Sequence, residues 1–313
     1  MQGGRGIDDP EAVDMDTPNA ARVYDYLLGG GHNFAVDRQF AETLLTQVPM
    51  AAAAARANRA FLRRAVIYLA DRGIRQFLDL GSGIPTVGNV HEITDERRPG
   101  CRVVYVDKDP LAHIHSRQLL RSHATASAVR ADLRDVEGVL SSIRERELLD
   151  FEKPIAVLLC AVLHFVSDED DPAGIVSRYT DAVPAGSYLA ISHATADHRP
   201  TDLGLATRIF DHERISVTAR TLEEVRALFR GVEFVEPGVV PTGRWRPADP
   251  DSPGPESCLG YAGVGFKPGA ADAVDEWFRD QPAATGRGGD IPAAAVRTPH
   301  EPGCHLRVVR DPD

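Results

Sequence analysis

Residues 155–163 (IAVLLCAVL) are apolar at every position, with Pro154 before them and an acidic turn at 168–171 after them. A strand with one face in water alternates in polarity. An unbroken apolar run this short predicts a strand covered on both faces, at the centre of a parallel sheet. Four more short β-branched or apolar runs occur at 76–80, 102–106, 127–130 and 187–192, separated by helical stretches near 86–98, 109–121, 135–148 and 172–183. Strands alternating with helices predict an α/β, doubly wound sheet. Two later strand-like runs, 232–235 and 259–266, bring the total to seven. They flank a proline-rich loop at 241–256, and Thr221 with Glu224 makes a capping box that opens a helix over 221–229.

A helical preface precedes the sheet. Thr17-Pro18 reads as a helix start, with a hydroxyl cap followed by proline at the first turn, and Gly29-Gly30-Gly31 ends that helix. Further helices are expected over 37–48 and 51–71, the last stopped by Gly73. The chain thus divides into an arm (1–16), a helical segment (17–75), a sheet-bearing core (76–268) and a Gly-, Pro- and Ala-rich tail (269–313) with one short helix at 273–278.

With 35 Lys and Arg against 46 Asp and Glu, the net charge is −11, which argues against a nucleic-acid partner. No run of about 18 apolar residues is present, so no membrane span is expected, and the N-terminus lacks the apolar core of a secretory signal. Cys101, Cys160, Cys258 and Cys304 are scattered, with no CxxC pair. Reduced thiols in a cytoplasmic protein are expected, with no metal site.

The sharpest local signal is Phe77-Leu78-Asp79-Leu80-Gly81-Ser82-Gly83, where the first strand hands over to a helix. Glycines there let backbone approach a ligand, and open α/β sheets bind ligands at the carboxyl ends of their strands. Asp107 ends the second strand and suits a pair of ribose hydroxyls; Asp132 follows the third. A dinucleotide needs GxGxxG, but here Gly83 is followed by Ile84, Pro85 and Thr86, and the third glycine is missing. S-adenosylmethionine has no phosphate and carries a positive sulfonium and ammonium, which carboxylates at three successive strand ends suit better.

FLDLGSG, VVYVDKDP and ADLRD resemble the successive motifs of Rossmann-like class I methyltransferases. ARVYDYLLGGGHNFAVDR (21–38), RANRAFLRRAV (56–66), GSGIPTVGNVHE (81–92), LHFVSDEDDPAGIV (163–176) and SHATAD (192–197) resemble, more narrowly, an actinobacterial family of S-adenosylmethionine-dependent methyltransferases once catalogued as a domain of unknown function. The resemblance spans about 17–267. It implies a seven-stranded, mostly parallel sheet with an antiparallel last strand, under an N-terminal helical lid. It also implies a donor site in which Gly81, Ser82 and Gly83 meet the methionine portion, Asp79 orients it, Asp107 holds the ribose, and Asp132 and Leu133 hold the adenine. Tyr24, Tyr26, Asn33 and Arg59 on the lid are then candidates to close over donor or acceptor. Gly31-His32 departs from the more polar residues expected after LLGG.

The acceptor side falls at the end of the fourth strand. Base-methylating enzymes of nucleic acids often carry Asn/Asp-Pro-Pro-aromatic there; this chain has Leu163-His164-Phe165, which looks like the small-molecule enzymes. His164 is the candidate general base or acceptor-positioning group, against a buried structural histidine, and His193 carries the same two readings. Trp245 either stacks on an acceptor or anchors its loop. The acids at 168–171 read as a helix N-terminal complement rather than a metal cluster, His91-Glu92 lacks the second histidine of HExxH, and His113 and His115 read as surface residues. The expected activity is methyl transfer to a small-molecule acceptor. The rivals are a protein that binds S-adenosylmethionine without turnover and an NAD(P)-dependent oxidoreductase.

Overall fold

The computed structural model describes residues 14–85, 88–247 and 259–269, with the backbone of 308–309. The arm before residue 14, Cys258, Cys304 and the helix expected at 273–278 lie outside the described residues.

β1 (Gln76–Leu80) runs between β2 (Arg102–Asp107) and β4 (Ala156–Cys160), with β3 (Ala126–Arg130) beyond β2 and β5 (Tyr188–Ala194) beyond β4, all parallel. β8 (Gly260–Phe266) joins β5 antiparallel, and β6 (Glu233–Val235) joins β8 antiparallel. The seven expected strands are thus ordered β3-β2-β1-β4-β5-β8-β6. Two-residue strands extend the sheet, β7 (Val240–Pro241) against β8 and β9 (Val308–Val309) against β6.

Strand periodicity divides the core. Leu78, Leu80, Val104, Val157 and Ile191 point to the face covered by α6 (Val136–Glu145), α7 (Pro172–Asp181) and α9 (Leu222–Ala227). Phe77, Val103, Leu158 and Ala190 point to the face covered by α3 (Ala51–Asp71) and α4 (Val90–Arg97). With the side chains alternating along β1, Asp79 falls on the α3 face. The all-apolar run does make the central strand, but β4 stops at Cys160. Ala161 turns to φ 56°, and Leu163–Phe165 forms a tight helical turn instead of continuing the strand.

The first helix begins later than the Thr17-Pro18 signal suggests. α1 is Ala20–Leu27, capped by the Asn19 side chain, while the Thr17 carbonyl accepts from the Arg22 guanidinium. α2 (Ala35–Gln47) is tied to α1 by a fully buried Arg22–Asp37 pair at 2.8 Å. α3 serves two layers, since its later residues pack on the sheet while Ala51 belongs to the lid. A helix absent from the sequence reading, α8 (Pro200–His212), packs Leu203 and Ala206 into the lid's apolar cluster with Val23, Phe40 and Leu44. Phe40 and Phe210 meet edge-on at 4.9 Å. Between β2 and β3, α5 (Pro110–Leu119) starts from Asp109, as the capping reading allows. His113 and His115 on it are half-buried rather than on the surface.

Trp245 is the loop anchor and not an acceptor platform. Its indole is fully buried, edge-on to Phe61 at 5.4 Å and Tyr68 at 5.7 Å, and its carbonyl accepts from Arg64 Nε. Trp245→Ala is therefore expected to lower unfolding free energy by about 3–5 kcal/mol through the cavity it leaves, read from urea denaturation. An unchanged midpoint would contradict the anchoring role.

Candidate functional site

At the carboxyl ends of β1, β2, β4 and β5 lies a cavity of about 670 Å³ roofed by α1, α2 and the start of α3. It opens where strand order reverses between β1 and β4, the place an open α/β sheet offers a ligand. Gly81 takes φ 68°, and a Cβ there would stand 2.2 Å from Val162 Cγ2, so no other residue fits without moving the β4 turn. Gly81 N donates to Val106 O at 2.8 Å. Asp107 fixes the rest of the turn, accepting from Gly83 N at 2.7 Å and Asp109 N at 2.9 Å.

Of the residues singled out in the sequence, Asp79, Gly81, Ser82, Gly83, Asp107, Asp132, Leu133, Tyr24, Arg59, His164 and His193 all line this cavity. Tyr26 and Asn33 do not. The Tyr26 hydroxyl bonds Glu42 on the lid's outer side, and Asn33 Nδ2 donates to Asp25 and to Gly30 O, closing the glycine loop on itself.

Several residues at the site had not been singled out. Tyr24 donates its hydroxyl proton to Ala55 O and accepts from Asn58 Nδ2 at 2.8 Å. Ser192 Oγ donates to Asn58 Oδ1 and accepts from Ala161 N at 2.9 Å. This chain of bonds joins lid, sheet and the strained Ala161. Arg220, buried, donates to the carbonyls of Leu163 and Val166, to His193 Nε2 at 2.7 Å and to Asp168. His193 Nδ1 lies 2.8 Å from Ala194 O, so both its ring nitrogens are occupied. Two more acids of the turn are likewise engaged, Asp170 by Arg134 and Asp171 as the cap of α7.

The comparisons with known proteins agree on one group. A family model described as S-adenosyl methyltransferase matches residues 7–268. The chain belongs to that family. It is similar to a crystal structure of a DUF574 family protein from Streptomyces avermitilis, with 39% identity, 82% of this chain and 100% of that one covered, and a TM-score of 0.79. It is also similar to a candidate methyltransferase from Thermobifida fusca, with 41% identity, 84% and 100% coverage, and a TM-score of 0.78. None of the curated proteins matches it. The protein is an S-adenosylmethionine-dependent methyltransferase, which closes the nicotinamide reading. No helix among the described residues is long and apolar enough to cross a membrane.

The methyltransferase's charges suit its donor. Burial raises the Asp79 carboxyl to about 7, with Arg59 opposing and Asp107 adding to the rise. Burial likewise raises Asp107, against the two backbone N–H donors that hold its charge. Asp132 is pulled up by burial, but its bonds to Arg134 outweigh that and leave it below the usual carboxylate range. A cation placed against Asp79 relieves an unfavourable buried negative charge.

This has a consequence for the free protein. With a folded value near 7 and an unfolded value near 3.8, Asp79 makes the folded state bind more protons, so stability falls as pH rises from about 4 to 7. Asp79→Asn is expected to stabilise the ligand-free protein at pH 8 by on the order of 4 kcal/mol and to change little near pH 4. Thermal melts across that range check the difference.

Proposed function

We propose that this methyltransferase acts on a small-molecule acceptor bound under the lid, in a cytoplasmic setting that its free thiols Cys101 and Cys160 suit. The observation that carries the reading is one continuous cavity in which the aspartate-rich strand ends and an apolar chamber beneath α1, α2 and α8 meet beside His164. A lidded chamber and a net charge of −11 both favour a small acceptor over nucleic acid.

The residues present fit the donor. The Gly81-Ser82-Gly83 turn would hold the methionine portion, Asp79 would take its ammonium, and Arg59, which acts electrostatically on Asp79, would take its carboxylate. Each Asp107 oxygen keeps a lone pair beyond its backbone donor for a ribose hydroxyl. Asp132 and Leu133, which line the cavity, would border the adenine. When bound, S-adenosylmethionine supplies an activated methyl group for in-line displacement, so positioning and exclusion of water account for much of the acceleration.

His164 lines the cavity, its ring 4.3 Å from that of Phe165. Burial lowers it to about 3, with the charges of His193 and Arg220 adding to the effect, so it is neutral across physiological pH. A base so weak holds a proton poorly. Its role is to accept a hydrogen bond from the acceptor and orient its nucleophilic atom, while Arg220 fixes the turn that carries it.

Calorimetry is expected to show S-adenosylmethionine binding with no response to NAD, and Asp107→Ala weakening donor affinity at least about tenfold. Unchanged affinity would assign Asp107 to the turn alone. Because His164 stays neutral down to about 3, kcat/KM is expected to show no acid limb near pH 6.5 from this residue. A limb there that His164→Gln removes would overturn the positioning role.

A further inference from the structure

We infer that the acceptor of this methyltransferase is a hydrophobic hydroxy compound carrying one anionic group, and that Arg214 at the chamber mouth receives the anion. The inference rests on the donor and positioning roles proposed above and adds the substrate's chemical class.

The chamber beyond His164 is walled by Leu44 and Val48 of α2, Leu203 and Phe210 of α8, and Phe165 and Ile215 beside the histidine. The carboxylates that line the cavity, Asp79, Asp107, Asp109 and Asp132, all sit at the ends of β1, β2 and β3 or in the turns after them, on the donor side. The apolar walls therefore call for an occupant that is largely hydrocarbon or aromatic, with few groups needing hydrogen bonds.

Among the described residues, four cations line the same cavity. Arg59 acts on Asp79, Arg134 is paired with Asp132 at 2.7 Å, and Lys108 lies within the field of Asp107 and Asp132. Arg214 is the fourth, and among the described residues it has no ion-pair partner. It is exposed yet lines the cavity, so it stands where chamber meets solvent.

The backbone holds it there. After α8 the chain closes with Arg214 N donating to Asp211 O at 2.9 Å and Ile215 N to Phe210 O at 3.0 Å, with Arg214 at φ 61°. Glycine usually takes this helix-ending position. Glu147 takes it after α6 as well, so the fold tolerates a side chain there. What distinguishes Arg214 is its place on the chamber wall. One hydrogen bond and one ring contact tie that wall to the segment carrying His164, as Thr218 N donates to His164 O at 2.8 Å and the Phe165 and Phe210 rings lie 6.2 Å apart.

An acceptor with a positive charge would meet the donor sulfonium and Arg214 together, with no carboxylate among the described residues that line its side of the cavity. A carboxylate instead finds the two parallel N–H donors of a guanidinium. The neutral ring of His164 is suited to accept from a hydroxyl at the other end.

The test uses the full chain saturated with S-adenosylhomocysteine and three matched probes: 6-hydroxy-2-naphthoate, its methyl ester and 6-(aminomethyl)-2-naphthol. Calorimetry is expected to show the naphthoate binding at least about fivefold tighter than the ester, with the amine weakest. Arg214→Gln is expected to remove the preference for the anion while leaving the ester within about twofold and S-adenosylhomocysteine affinity unchanged. Arg214→Gly, which relieves the left-handed backbone, controls for folding and is expected to show the same loss. An amine that binds as well as the naphthoate, an anion preference that survives in both variants, or no naphthoate binding by the loaded protein would each overturn the inference. Failure of the wild-type chain to bind S-adenosylhomocysteine would overturn the donor reading on which it rests, and that titration is read first.

Discussion

The reversal of strand order between β1 and β4 sets the geometry on which the site depends. Connections leaving the two strands diverge to opposite faces, and the gap between them is where backbone can be exposed without being covered by its own helix. Gly81 and Val162 meet across that gap so closely that a single methyl group on the glycine would part them. The close approach brings the aspartates of the β1 and β2 ends and the turn after β4 into one cavity, and the lid completes it.

The electrostatics follow from depth. Carboxylates at the strand ends are removed from water by the sheet below and the lid above, so ionising them without a partner is unfavourable, and their pairing with a cationic ligand is correspondingly strong. Arg220 answers the opposite need. Its buried guanidinium satisfies two carbonyls of the β4 turn, a histidine nitrogen and Asp168, so a segment with no regular hydrogen-bond ladder keeps one shape. Asp168, Asp170 and Asp171 are then parts of this scaffold, held by Arg220, by Arg134 and as a helix cap.

Elements governed by local chemistry were legible in the sequence. The apolar run at 155–163 announced a central strand, Thr221 with Glu224 announced α9, and Asp79, Asp107 and Asp132 were placed at strand ends by spacing alone. What escaped was set by distant partners. Nothing near Asn58 or Ser192 tells that the two meet across 134 positions of chain. Nothing near Trp245 distinguishes an exposed platform from the plug beneath Phe61 and Tyr68. α8 carried a local signal, Pro200 at its start with Leu203, Ala206 and Phe210 at helical spacing, but a second helix rather than a strand follows it, so the segment breaks the alternation. Tyr26 and Asn33 were drawn toward the site by the lid they belong to, while their position on the helix and loop turns them toward Glu42 and Asp25.

The two ends of the cavity are drawn from stretches of chain that scarcely overlap. The end proposed for the donor uses the turns after β1, β2 and β3, whereas much of the end proposed for the acceptor comes from the lid and from α8 with the wall that follows it. Such a division lets one part of the cavity change without the other. Substitutions on the wall that follows α8 would alter the chamber's shape and charge without touching the strand-end turns, as long as Arg220 keeps its hold on the β4 turn and Leu203 and Ala206 keep their place in the lid.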